Sequence, residues 1–295
     1  MNTFYKRPFL IELMSILLAF TSFINCMFFV EPGSKRTTPD GQIKVMSFNL
    51  RQYKADMFNE HMSAKRVPVS IDVILEELPD SIGVQESDFG WTCALNIGLA
   101  AEYRSVSIGR DSGGSIGEAT AIYYRYKIYD VVDCGTFWLS ETPNRVSKGW
   151  DAMCNRVCTW VVLQNKETKE EYVHINTHLD HQGELARENG TDMILDLASQ
   201  FQQPVVCTGD FNTKEGTDIY YRLTGGCLYD SKYLAEETMS GPTSNAYDEY
   251  KPERPPIDYI FVSENIKVNK YHIITEREND FAYSDHFPLY IEMSL

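Results

Sequence analysis

The chain is 295 residues long, enough for one large globular domain, and neither a Ser/Gly/Pro-rich linker nor an internal repeat divides it. Its 42 Asp and Glu outnumber 27 Lys and Arg, giving a formal charge of −15. So acidic a surface repels a polyphosphate backbone, which disfavours a long-duplex DNA binder unless a basic groove or bound cations intervene locally.

In chain order, the first element lies outside the domain. Lys6 and Arg7 precede a mostly apolar stretch from Pro8 to Val30, interrupted by Glu12, which is the pattern of a secretory signal. An uncleaved membrane anchor and a buried core helix are the other readings. Asn25 stands before Cys26 where a lipidation site needs a small residue. Residues 1–30 are assigned to a signal peptide or membrane anchor, the polar residues 31–42 to a tether, and 43–295 to the domain. The protein is expected to be secreted, periplasmic or anchored facing outward, and monomeric. Without Cys26, six cysteines remain, an even number that suits an oxidising location; Cys207 reads as a buried thiol. Cys154 and Cys158 lack a second Cys/His pair at zinc-ligand spacing. Asn189-Gly190-Thr191 is a glycosylation sequon, meaningful only in a eukaryotic host.

Within the domain, the β-prone run Ile43 to Phe48 ends at Asn49. Ile71, Ile74, Leu75 and Leu78 repeat at helical spacing until Pro79 stops the helix. Ser81 to Val84 then leads into Gln85-Glu86-Ser87, and Glu118 precedes a strand over Ala119–Tyr124. Further strands are predicted over Tyr129–Val132, Val157–Leu163 and Tyr172–Ile175, the last ending at Asn176-Thr177-His178-Leu179-Asp180-His181. A longer helix carries Leu185, Met193, Ile194, Leu197 and Phe201. After Pro204, the run Val205 to Cys207 ends at Thr208-Gly209-Asp210-Phe211-Asn212. Asp258 precedes the strand Tyr259–Val262, and Asp285-His286 precede Pro288–Met293. Two long irregular stretches, Ser140 to Asn155 with Trp150 and Glu236 to Pro256, adjoin these motifs and read as substrate-facing walls. Many strands and few helices argue for an α+β fold, with sheets packed together and helices outside.

Asn49, Glu86, His178 and Asp210 follow their strands, whereas Glu118, Asp258, Asp285 and His286 precede theirs. If the second group runs antiparallel to the first, all these side chains meet on one rim. Their order, with Asp210-Phe211-Asn212 and Ser284-Asp285-His286-Phe287-Pro288, resembles the endonuclease/exonuclease/phosphatase superfamily from about Lys44 to Leu295. The stretch Gly135 to Pro143 with Gly149-Trp150-Asp151-Ala152 is most similar to small, little-characterised members. The resemblance implies a four-layer α/β/β/α sandwich of two mainly antiparallel sheets flanked by helices.

Phosphate-ester cleavage needs an aligned water, neutralised phosphoryl oxygens and a stabilised leaving oxygen. Hard oxygen ligands, with no cysteine expected at the rim, fit Mg²⁺ or Mn²⁺. The resemblance makes Glu86 the first metal ligand, with Asn49 and Asp285 as weaker ligands. Asp210 would orient or activate the water, with a low pKa beside the metal, and Asn212 would hold the water or the phosphate. His178 and His286 would donate to phosphoryl oxygens, each backed by a carboxylate; Asp258 and Glu118 are available, and their pairing is open. Arg156 would clamp a non-scissile phosphate or form a structural ion pair with Asp151 or a neighbour, and Trp150 would line the substrate wall. Asp180 shapes the His178 loop, and His174 and His181 read as structural or peripheral.

The function expected is a metal-dependent phosphoesterase hydrolysing a phosphodiester or phosphomonoester with an activated water. A nuclease on single-stranded or small nucleic acid and a lipid or inositol phosphoesterase are the open substrate classes. A catalytically silent binding protein on the same scaffold is the non-enzyme alternative.

Overall fold

The structure, a computed structural model, is described over residues 38–39, 41–247, 251–275 and 282–295. The segment read as a signal or anchor, and most of the tether, lie outside the described residues. None of the helices among the described residues is long and apolar enough to cross a membrane.

The β-prone runs form two mixed, mostly antiparallel sheets. The first contains β1 (Ile43–Asn49), β2 (Ser81–Ser87), β3 (Tyr103–Val106), β4 (Ala119–Arg125), β10 (Glu237–Met239), β12 (Lys267–Ile273) and β13 (Leu289–Ser294), in the order β10-β12-β13-β1-β2-β4-β3. The second contains β5 (Tyr129–Trp138), β6 (Val157–Asn165), β7 (Glu171–His178), β8 (Val205–Asp210), β9 (Leu228–Asp230) and β11 (Asp258–Ser263), in the order β5-β6-β7-β8-β11-β9. Helices α1 (Ser63–Glu77) and α2 (Phe89–Gly98) cover the first sheet through Val67, Ile71, Ile74, Trp91 and Leu95. Helices α3 (Glu184–Ser199) and α4 (Asp218–Thr224) cover the second through Ile194, Ala198, Ile219 and Leu223. Between the sheets pack Val45, Ile122, Val161, Leu163, Val206, Ile260 and Ile291. The α/β/β/α layering is therefore as the resemblance implied.

Helix α1 stops where Leu78 turns left-handed, its N–H bonding the Ile74 carbonyl, before Pro79. It starts well before the apolar stripe because its first turns bury polar groups. Arg66 is fully buried and donates to the Leu50 carbonyl (2.6 Å) and to Asp56 (3.1 Å). The stretch Glu236 to Pro256 is not wholly irregular, since it contains β10, an edge strand that pairs in parallel with β12. The six described cysteines are all free, with Cys158 and Cys207 buried.

A polar seam runs through the apolar layer between the sheets. Gln85 of β2 donates to Asn176 Oδ1 of β7 (2.7 Å), and Asn176 Nδ2 donates back to the carbonyls of Val84 (2.9 Å) and Ala121 (3.0 Å). His174 bridges Ser81 Oγ (2.8 Å) and Thr208 Oγ1 (2.9 Å). A Cβ at Gly83 would collide with Thr208 and Asn176, so glycine is what lets the sheets approach here. Because each bond has one partner position, the seam fixes how one sheet slides on the other. It thereby sets which strand ends meet at the rim.

Burial holds the His174 imidazole neutral, with its pKa lowered to about 3. The unfolded chain titrates near the ordinary value of about 6.5, so this contribution is intact above that pH and is lost as pH falls towards the folded value. The stability difference between the native protein and His174→Gln should shrink by about 2 kcal/mol between pH 6.5 and 5, at ~1.4 kcal/mol per pH unit. Urea unfolding at both pH values checks this, and a constant difference contradicts it.

Candidate active site

Strand pairing assembles the site. In the second sheet His178 lies beside Asp210 across the parallel β7–β8 pair, and Asp210 lies opposite Asp258 across β8–β11. In the first sheet Asn49 is level with Gln85, which places Glu86 just past the end of β1. A cleft of about 300 Å³ opens between these ends, lined among others by Glu86, His178, Asp210, Asn212, Asp285 and His286. A larger cavity, about 580 Å³, lies by Asp80, Arg125 and Tyr129 and shares none of these residues.

Asn49 joins the two sheets at the cleft floor. Its Nδ2 donates to Asp210 Oδ2 (3.0 Å) and to Glu86 Oε1 (3.3 Å), while its Oδ1 accepts the Arg51 N–H (3.0 Å). Both amide atoms are thus engaged by protein, and Asn49 bridges Asp210 and Glu86. Glu86 also accepts the Gln52 N–H (3.1 Å). Three cleft residues, Arg51, Glu86 and Asn212, hold left-handed φ of 54°, 56° and 47°. Such backbone costs non-glycine residues on the order of 1–3 kcal/mol each and concentrates at functional sites. At Glu86 it coincides with the irregularity between Val84 and Ser87, which turns the carboxylate into the cleft.

Asp258 accepts from His286 Nδ1 (2.8 Å), leaving His286 Nε2 facing Asp210 Oδ2 at 3.9 Å. Burial alone would depress the His286 pKa, but the Asp258 carboxylate outweighs it and the pKa lies well above the ordinary value. His178, 3.6 Å from the same Asp210 oxygen, moves the other way. Its burial, and then Arg156 and Arg110 beside it, push its pKa well down. Asp210 is pushed up from the usual carboxylate range, first by burial and then by Asp258. The low pKa expected from the sequence assumed a neighbouring cation; the protein's own field acts in the opposite direction.

The open pairing resolves on one side only. Asp258 backs His286, but Glu118 pairs with Arg110 (2.7 Å) instead of a histidine. Arg156 pairs with Asp180 (3.3 Å) and His181 Nδ1 (3.0 Å), not with Asp151, whose Oδ1 caps α3 at the Ala186 N–H (2.8 Å). Asn212 donates its side-chain amide to the Leu179 carbonyl (3.0 Å) and its backbone N–H to Asp210 Oδ1 (2.9 Å). Asp285 pairs with Arg51 (3.5 Å). Trp150 is not among the cleft-lining residues; its backbone N–H bonds Glu141. Cys154 does line the cleft, against the expectation of a rim without cysteine. Sequence reasoning missed Arg51 and Arg110. Arg51 could have been noticed two residues after Asn49, but Arg110 sits in a glycine-rich loop with no strand signal.

For a cation, ligand atoms of Asp210, Asp258 and His286, all buried, lie within 4.8 Å of one another. Asp258 Oδ1 is buried without a hydrogen-bond partner. This group and Glu86 offer mainly oxygen donors, which suit a hard divalent ion.

The model of the Endonuclease/Exonuclease/phosphatase family matches residues 46–286. A crystal structure of an endonuclease/exonuclease/phosphatase family protein from Bacteroides thetaiotaomicron is 32% identical, with TM-score 0.80, covering 85% of this chain and 97% of that one. A mannosyl-6-phosphatase from the same organism is also 32% identical, with TM-score 0.80, covering 86% and 100%. A family protein from Bacteroides vulgatus is 30% identical, with TM-score 0.79, covering 86% and 99%. No match was found among curated proteins.

A raised His286 pKa means the imidazolium persists below that pKa and is lost as pH rises through it. Asp258→Asn should therefore move the alkaline limb of the pH–rate profile to lower pH and cut kcat about 10²-fold at neutral pH. A pH series of kcat on both proteins tests this; superimposable profiles would count against the pair.

Proposed function

The chain belongs to the endonuclease/exonuclease/phosphatase family, and from that membership we propose that it is a divalent-metal-dependent hydrolase that releases phosphate from a compact phosphomonoester such as a sugar phosphate. The observation that carries this reading is the small cleft in which Asp210, His178 and His286 converge. The similarity to a mannosyl-6-phosphatase, at 32% identity over nearly all of that chain, supports the substrate class. A net charge of −15 supports a compact substrate over a long duplex.

In this reading Asp210 aligns the attacking water and accepts its proton; a carboxyl raised towards neutrality is suited to that exchange. Asn49 and the Asn212 N–H hold the carboxyl in place. His286, kept protonated by Asp258, donates to a phosphoryl oxygen or the leaving oxygen. His178 remains neutral and offers one N–H without adding charge. Mg²⁺ or Mn²⁺, held by Glu86 and the carboxylates beside it, would neutralise charge developing on the phosphoryl oxygens. Asp210, Asn212, His178, His286 and Glu86 all line one cleft, which favours an enzyme over a silent binder. The pattern from Lys6 to Val30 supports export as part of the same proposal, and finding the uncleaved chain in the cytoplasm would contradict it.

Hydrolysis of a panel of mannose 6-phosphate, inositol phosphates, sphingomyelin, RNA and single-stranded and duplex DNA, with Mg²⁺ or Mn²⁺ titrated, tests the assignment. Phosphate release from the sugar phosphate, abolished by EDTA and reduced by orders of magnitude in Glu86→Gln, is the expected result. Turnover in excess EDTA, or cleavage of nucleic acid alone, overturns it.

A further inference from the structure

The wall of the cleft beyond His178 is built from Glu86, Arg110, Glu118, Arg156 and Val157. The space it leaves is about 10 Å³, roughly the room of one water. Two guanidinium atoms in this wall are buried without hydrogen-bond partners, Arg110 Nε and Arg156 Nη1. Arg156 is 5% exposed and the Arg110 side chain 11%. A buried donor of a charged group left unpaired is costly, so an acceptor supplied from outside the protein is the physical explanation for keeping two together.

Both arginines are rigidly held. The Arg110 carbonyl accepts from Trp138 Nε1 (2.7 Å) and Asn155 Nδ2 (3.4 Å), and its guanidinium is braced on Glu118. Arg156 is braced on Asp180, which also accepts the Gly183 N–H (2.8 Å). Both lie close enough to His178 to depress its pKa.

Resting on the phosphoesterase reading above, we propose that Arg110 and Arg156 are the specificity-determining pair, closing one end of the cleft around the terminal oxygens of a phosphomonoester dianion. A diester carries an organic group on one of those oxygens and one charge fewer. The space beside the pair, about 10 Å³, is too small for that group, and the two orphaned donors lose an anionic acceptor. The enzyme should accordingly discriminate by ester type before it discriminates by sugar.

The test compares kcat/KM for p-nitrophenyl phosphate and bis-p-nitrophenyl phosphate in the native protein, Arg110→Gln and Arg110→Lys, with folding followed by circular dichroism. Arg110→Gln is expected to lower the monoester-to-diester ratio by about tenfold to a hundredfold, mainly through monoester KM. Arg110→Lys, which keeps the charge but not the fork, should recover part of it. Phosphate esters lose their second charge near pH 6. Native KM for the monoester should therefore rise below that pH, and this rise should flatten in Arg110→Gln. Inorganic phosphate should compete more weakly against that variant. An unchanged ratio in Arg110→Gln, or a native enzyme that cleaves both esters equally, overturns the role of the pair and leaves the phosphoesterase reading standing. Inertness of the native protein towards both esters with Mg²⁺ or Mn²⁺ overturns that reading and this inference with it.

Discussion

The side-chain amide of Asn49 is the contact on which the site depends. It stands at the end of β1 in one sheet and donates to Asp210 at the end of β8 in the other, while its second proton reaches Glu86. One group therefore fixes the distance between the candidate base and the first candidate cation ligand. That contact exists only if the two sheets stop their relative slide at one position. The seam of Gln85, Asn176, His174 and Thr208, with Gly83 stripped of a side chain, supplies that stop. Apolar packing alone would give cohesion without register, since dispersion contacts tolerate small shifts that directional bonds do not.

Above this frame the same residue type is driven in opposite directions. His286 and His178 flank Asp210 Oδ2 at 3.9 and 3.6 Å. One has a carboxylate behind it and holds its proton; the other is buried, with two guanidinium groups beside it, and sheds it. Buried charge is tolerated because each charge has a fixed partner: Asp258 for His286, Glu118 for Arg110, Asp180 for Arg156. The result is a cleft whose polarity is set before any ligand arrives, the condition for electrostatic stabilisation without reorganisation.

Much of this could be read from the chain because the reactive residues fall where strands end. Strand ends are announced by a break in apolar patterning, and the polar residue at the break is conspicuous, as at Asn49 and Asp210, which follow their apolar runs, and Asp258, which precedes its own. Partners that depend on loops were not legible. Arg110 reaches Glu118 across a closed glycine-rich turn, and nothing in local spacing distinguishes that outcome from Glu118 backing a histidine. His174 was read as structural or peripheral, but that it and Asn176 join the two sheets was not legible. β7 is buried on both faces, so its polar residues cannot be sorted into solvent-facing and seam-forming positions by alternation. Arg66 shows the same limit in a helix, where a buried guanidinium satisfied by carbonyls mimics an exposed charge in sequence.

The claim at the centre of this account is that Asp210, held by Asn49, handles the proton of the attacking water. The most direct measurement is single-turnover hydrolysis of p-nitrophenyl phosphate by Asp210→Asn at saturating Mg²⁺, alongside its affinity for inorganic phosphate. The account predicts a rate lower by about 10²–10⁴-fold with phosphate affinity little changed, because the lost interaction belongs to the transition state. A native rate in Asp210→Asn would contradict it.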